Sequence, residues 1–109
     1  MSGSGSGGGG SFESPQDNCE LLVIDTQLSS PKEEVIALIN PGDVLAITTQ
    51  IMGATTVVVV LHNGQLAGGL ASPKVQRLRE CMASGTQYDA TVVAKNDGQV
   101  RVRVKAIRA

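Results

Sequence analysis

Few side chains in this 109-residue chain could do covalent or metal chemistry, and their spacing argues against it. The single histidine, His62, stands directly before Asn63-Gly64. A nucleophile–histidine–acid arrangement would need a Ser or Cys held against that imidazole and a carboxylate behind it. The chain has no nucleophile elbow and no HExxH, so His62 reads as a hairpin residue. Glu33 and Glu34 are adjacent, but they fall where a helix should begin, and attraction to the helix dipole accounts for them. Cys19 and Cys81 lack the close spacing and further ligands of a zinc site. They read as two ordinary reduced thiols, with Cys81 beside the apolar stripe of a helix. A disulfide joining the first strand to the second helix is the alternative. With no cofactor or metal motif in view, the chain reads as non-enzymatic.

The groups that could bind something are of two kinds. Arg101, Arg103 and Lys105 alternate along one segment and would stand in a row on one face of a strand, with Lys74 and Arg77 on a helix as possible company. Such a row could grip phosphates, or it could be a solvated strand face that deters edge pairing. Gly68-Gly69 precedes a helix start, where two glycines let a ligand approach the backbone and free N–H groups meet an anion. The complete phosphate-binding patterns GxGxxG and GxxxxGK[ST] are absent, and glycines equally let a barrel strand bend or an element pack closely.

The elements that must carry these residues announce themselves by repetition. Leu28-Ser29-Ser30-Pro31-Lys32 returns as Leu70-Ala71-Ser72-Pro73-Lys74. Each copy follows an apolar run and opens a helical pattern that ends at a glycine, Gly42 or Gly85, before a β-rich segment. Ser30 and Ser72 suit helix N-caps, with Pro31 and Pro73 at the first helical position and Glu33 completing a capping box. Val35, Ile36, Leu38 and Ile39 would make one apolar face, and Val75, Leu78 and Met82 another. Strands are expected at Cys19–Leu28, buried on both faces through Leu21–Ile24 or covered there at a barrel seam, then at Val44–Met52, Ala54–His62, Gln65–Leu70, Tyr88–Lys95 and Gln99–Ile107. Asn63-Gly64 predicts a type I′ hairpin.

The result is βαββ–βαββ: a mainly β (α+β) fold, a six-stranded small barrel with two short helices and pseudo-twofold symmetry. An open α+β sheet with both helices on one face is the alternative. Residues 1–18 read as a disordered Gly/Ser-rich leader, either a linker or a native segment, and 19–109 as a single domain. Its core must come from small aliphatic and β-branched residues, since the chain has one Phe, one Tyr and no Trp.

The last hairpin admits a register argument. A three-residue turn with Gly98 left-handed faces Lys95 against Gln99, Ala94 against Val100, Val92 against Val102 and Ala90 against Val104. The other face then pairs Val93 with Arg101, Thr91 with Arg103 and Asp89 with Lys105. A two-residue Asp97-Gly98 turn mixes apolar with charged residues, so burial selects the first register.

Net charge is −1, which gives no global attraction for nucleic acid, although acids gather early and bases late. No apolar run reaches the ~18 residues of a membrane span and no signal peptide is visible, so the expectation is a cytoplasmic, soluble domain without membrane contact.

The stretch from Gly42 to Ile107 resembles the HIRAN domain in its order of parts: Pro41-Gly42-Asp43-Val44 opening a strand, a Val-rich strand, Asn63-Gly64 then Gly68-Gly69-Leu70, a helix through Leu78, Gly85, and a closing strand pair. That resemblance implies an OB-like six-stranded barrel with two helices that recognises DNA ends. The residues and the resemblance together lead to a small binding domain that recognises nucleic acid or another anionic ligand through Arg101, Arg103, Lys105, Lys74 and Arg77, with Gly68 and Gly69 alongside. A protein–protein interaction module of unspecified partner is the alternative. No cofactor is expected.

Overall fold

Alternation of small apolar and polar side chains closes this chain into a barrel. The computed structural model describes residues 18–107, so the reading of the leader lies outside it except at Asn18. The elements are β1 (Val23–Ser29), α1 (Glu33–Ile36), β2 (Val44–Met52), β3 (Thr55–His62), β4 (Gln65–Leu70), α2 (Val75–Ala83), β5 (Tyr88–Asn96) and β6 (Gln99–Ala106). The six strands form a closed ring in the order β1-β4-β3-β2-β5-β6, with every neighbouring pair antiparallel. Strand β6 shows the principle most clearly: Val100, Val102 and Val104 are fully buried while Arg101, Arg103 and Lys105 face out. Ile24, Leu45, Val58, Val60, Ala90 and Val92 meet those valines inside, and Ile39 and Leu78 join from the segments around the helices. The open-sheet alternative is thereby set aside.

The duplication is visible in the topology. Exchanging β1 with β4, β2 with β5 and β3 with β6 leaves the order of the ring unchanged. β2 and β5 each have nine residues, β3 and β6 each have eight, and both hairpins turn over two residues, Gly53-Ala54 and Asp97-Gly98. The two halves meet at a short seam between β1 and β4, where Leu28 faces Leu70 and Ser29 faces Gly69. These are the leucines that head the two copies of the repeat. A Cβ on Gly68 would lie 3.0 Å from the Ser29 carbonyl oxygen and 3.2 Å from the Leu28 Cβ. The strands can approach this closely only because β4 carries hydrogen there.

Several local expectations need correction. Ser30 does not cap α1. It adopts a left-handed φ of 48°, Lys32 takes the cap position without a side-chain bond, and helix α1 is a single turn. The reason is the seam: leaving it, the chain turns sharply, and the Lys32 N–H is spent on the Ala67 carbonyl of β4. Ser72 likewise stands outside α2, which Lys74 caps; the Ser72 hydroxyl instead accepts the Lys74 N–H in a local turn. Leu38 does not join an apolar face. The N–H groups of Leu38 and Ile39 bond three residues back rather than four, a tighter turn that leaves Leu38 58% exposed. β1 begins at Val23 rather than Cys19 and alternates, Leu22 and Ile24 in, Leu21 and Val23 out, because only one of its faces meets the core.

The last hairpin combines both registers. Its tip is a two-residue turn in which Asp97, not Gly98, takes the positive φ, so Ala94 faces Arg101. A bulge at Val93 then restores the register that burial demands, with Val92 on Val102, Thr91 on Arg103, Ala90 on Val104 and Asp89 on Lys105. Asn63 and Gly64 both adopt positive φ, as a type I′ hairpin requires.

The reading of two reduced thiols is overturned: Cys19 and Cys81 form a disulfide with their Cα atoms 5.5 Å apart. Tyr88, buried beneath this bond's N-terminal arm, donates its hydroxyl proton to the Cys19 carbonyl. Burial raises the Tyr88 phenol above its ordinary pKa, with the Arg77 guanidinium opposing to a lesser degree. Disulfide and tyrosine together fasten the start of the domain onto α2 and the foot of β5.

Three stability outcomes follow from this architecture. Val102→Ala should lower the unfolding free energy by about 1–3 kcal/mol in chemical denaturation, through lost burial and a residual cavity. Reducing the disulfide, which spans 62 positions, should cost about 2–4 kcal/mol by freeing the unfolded chain. Gly68→Ala should destabilise by about 1–3 kcal/mol, and more than Gly69→Ala, because the Gly68 Cβ meets rigid backbone whereas the Gly69 Cβ meets the movable Ser29 hydroxyl at 3.2 Å.

Candidate functional site

The barrel displays two surfaces that could bind a partner. The first is the outer face of β6. Arg101, Arg103 and Lys105 stand there in a row, exposed, with β5 on one side and β1 on the other. Cross-strand pairing then decides their charge environment. Arg103 donates from Nε to the Asp25 carboxylate on β1 at 2.8 Å, and Lys105 lies between Val23 and Asp89 in the ladder. Arg101 lies opposite Gln27. Two carboxylates therefore interrupt a row of three cations, and the face is of mixed sign.

The other candidate residues lie apart from this row. Lys74 and Arg77 sit at the start of α2, where Arg77 pairs with Glu80 at 3.5 Å. That helix is engaged elsewhere: Arg79 donates to the Thr56 carbonyl of β3 at 2.8 Å, and Cys81 is bonded to Cys19. It makes no extensive contact with β6. Gly68 and Gly69 are inside β4 at the seam, opposite Val60 and Val59, and their proximity to the Ser29 backbone and hydroxyl explains them without a ligand. A pocket of about 240 Å³ does open beside them, with Gln50, Met52 and Lys32 on its walls.

The second surface is one the side-chain inventory missed. Strand β2 pairs with β5 only through Val44, Leu45 and Ala46. From Ile47 to Met52 its sole strand neighbour among the described residues is β3, and from Thr49 and Val58 outward, beyond the β3–β4 ladder, the hairpin projects as a two-stranded ribbon. Thr48 through Thr56 are exposed, with Ile51 at 78% and Met52 at 60%. A groove of about 480 Å³ runs between this ribbon and α2, lined by Thr48, Thr49, Thr56, Gln76, Arg79 and Met82. The signal was present as an absence: no charged residue occurs from Val44 to Leu61. That silence reads naturally as core until the topology shows which half of the hairpin is covered.

His62 lies at the end of β3 facing Gln65, with its Nδ1 buried. No group of three His, Cys, Asp or Glu side chains that could hold a metal occurs among the described residues. No helix among them is long and apolar enough to cross a membrane. The disulfide bears on the cytoplasmic expectation from the opposite side, since such bonds persist in oxidising surroundings.

The barrel, closed and six-stranded with two helices, is compatible with an OB-like architecture. No family model, curated protein or solved structure matches the chain.

Proposed function

We propose that this chain is a non-enzymatic protein-interaction domain that takes up an extended segment of its partner along the free edge of β2. The observation that carries the reading is the uncharged, projecting β2–β3 ribbon, with Ile51 and Met52 exposed beside an unpaired strand edge. An edge strand offers a row of backbone donors and acceptors to any passing strand, and proteins that must stay apart guard such edges with Lys, Pro or short length. Here the open stretch from Ile47 to Met52 carries none of these guards. Strand addition uses those backbone groups for affinity and neighbouring side-chain pockets for specificity. The groove against α2 supplies such pockets, with threonine hydroxyls, Gln76 and Met82 along its walls.

A second reading has its own support. Arg101 and Lys105 stand exposed on β6, and the resemblance to HIRAN domains would make this a surface for DNA ends or another anionic ligand. Against it stand Asp25 and Asp89 in the same cross-strand rows and the scarcity of aromatic platforms for stacked bases.

Selection of a random peptide library against the immobilised domain separates the two. The expected ligands are uncharged, β-branched peptides whose affinity changes little with salt. It should fall at least about tenfold in the Ile51→Lys/Met52→Lys variant, because charge on an edge opposes strand addition. Ligands that are acidic or nucleic, that weaken steeply as salt rises, and that are lost in Arg101→Ser/Arg103→Ser/Lys105→Ser would replace this reading with the anionic one. Failure of the monomeric domain to enrich any hairpin-dependent peptide would also overturn it.

A further inference from the structure

We infer that the strand received by the β2 edge is β2 of a second copy of this chain, so that two barrels join through antiparallel β2–β2 pairing. The inference rests on the reading of that edge as the interaction site and names its occupant.

The pseudo-symmetry shows where the barrel is unfinished. At one end of the β2–β5 ladder the chain seals the edge of β5 itself. Gly42 N–H donates to the Val92 carbonyl and Val92 N–H to the Asp43 carbonyl, each at 2.8 Å. On the copied half, Thr48 of β2 occupies the position of Val92, and the segment before β5 occupies that of Gly42-Asp43. The ladder stops there at Ala46 and Asp89, and the Thr86 N–H turns back to the Cys81 carbonyl at the end of α2. The disulfide holds that helix toward the start of the domain instead. One half closes its edge, and the other leaves Ile47–Met52 without a strand on that side among the described residues.

Charge selects the occupant. The two strands of the projecting hairpin carry no charged side chain from Val44 to Leu61. A second copy brings an identical uncharged, β-branched strand, so two ribbons meet without repulsion between like charges. The outer strand face of β6 and the start of α1 carry exposed charges, Arg101, Arg103, Lys105, Glu33 and Glu34 among them, and would bring ions against this groove, whose charged lining is Arg79 and Glu80. Antiparallel pairing of identical edges is isologous: each copy gives and accepts the same bonds, and the contact closes at two. The opposite edge of β2 is already taken by β3, so the assembly does not propagate through this strand. Ile51 and Met52 are adjacent and therefore lie on opposite faces of the ribbon, giving an apolar contact to both faces of the joined sheet.

Sedimentation equilibrium of the full chain tests this. The expected particle has twice the 11.3 kDa chain mass, and Ile51→Lys/Met52→Lys should return it to the single mass with an unchanged far-UV circular dichroism spectrum. In the wild-type protein, amide exchange at alternate positions between Ile47 and Met52 should slow as concentration rises, a readout that does not depend on any variant folding. The triple Ser variant of Arg101, Arg103 and Lys105 should remain a dimer. A wild-type monomer at about 1 mM overturns the inference. So does a dimer that survives the two lysines, or exchange in Ile47–Met52 that ignores concentration. A monomer that still binds hairpin-dependent peptides leaves the strand-addition reading intact and removes only the second copy as its occupant. A monomer that binds none removes both.

Discussion

The seam between β1 and β4 is the constraint on which the rest of this structure depends. A six-stranded ring of short strands closes only if its first strand reaches the start of the second half, and here it does so through two residue pairs, Leu28 with Leu70 and Ser29 with Gly69. The contact is so tight that a methyl group at Gly68 would press on the Ser29 carbonyl. Closure at that point brings Val102 and Val104 on β6 into one interior with Val58 and Val60 on β3. Side chains this small can fill such a barrel because its bore is narrow, and close packing of many methyl groups replaces the aromatic mass that a wider core would need. The same seam sets the exit of the chain from β1, which is why Ser30 is left-handed and why α1 is reduced to a turn lying against β4.

Duplication gives the barrel its frame, and the departures from it give the molecule its individual character. The second half has a helix of nine residues where the first has four, and only the second helix carries a cysteine joined to the start of the domain. The bulge at Val93 belongs to β5, while the ladder between β2 and β3 runs without one. These differences are coupled. After α2 the chain spends its bonds elsewhere, the Thr86 N–H on the Cys81 carbonyl and the Gln87 carbonyl on the Ile107 N–H, whereas after α1 Gly42 and Asp43 pair with Val92. The open edge lies where the second half departs from the pairing that the first half makes.

Electrostatics on the barrel exterior follow from register rather than from composition. Three cations alternate along β6, but the strands on either side place Asp25 beside Arg103 and Asp89 opposite Lys105. Exposed pairs of this kind contribute little to stability, about 0–1 kcal/mol. Their effect is on the field, because they turn what would be a cationic stripe into a face of alternating sign. The hairpin of β2 and β3, by contrast, has no charge to offset, and its interactions are governed by backbone hydrogen bonds and apolar contact.

Strand and helix order, the duplication, the Asn63-Gly64 turn and the inward set of β6 are legible in the residues alone, because each depends on periodicity or on backbone preferences local to a few residues. So are Arg101, Arg103 and Lys105 as a row, since alternation along one strand is a local property. The remaining features depend on contacts between distant segments. Whether Cys19 meets Cys81 depends on where a helix lands 62 positions away. Whether Ser30 caps a helix depends on a seam with β4, and whether the row on β6 is cationic depends on Asp25, which only pairing brings to it. The exposed ribbon was the least legible feature. Val44–Leu61 has the composition of a buried hairpin, and nothing local distinguishes the half that β5 covers from the half that it leaves open. That distinction is made by where the β2–β5 ladder ends, a pairing between segments more than 40 residues apart in the chain.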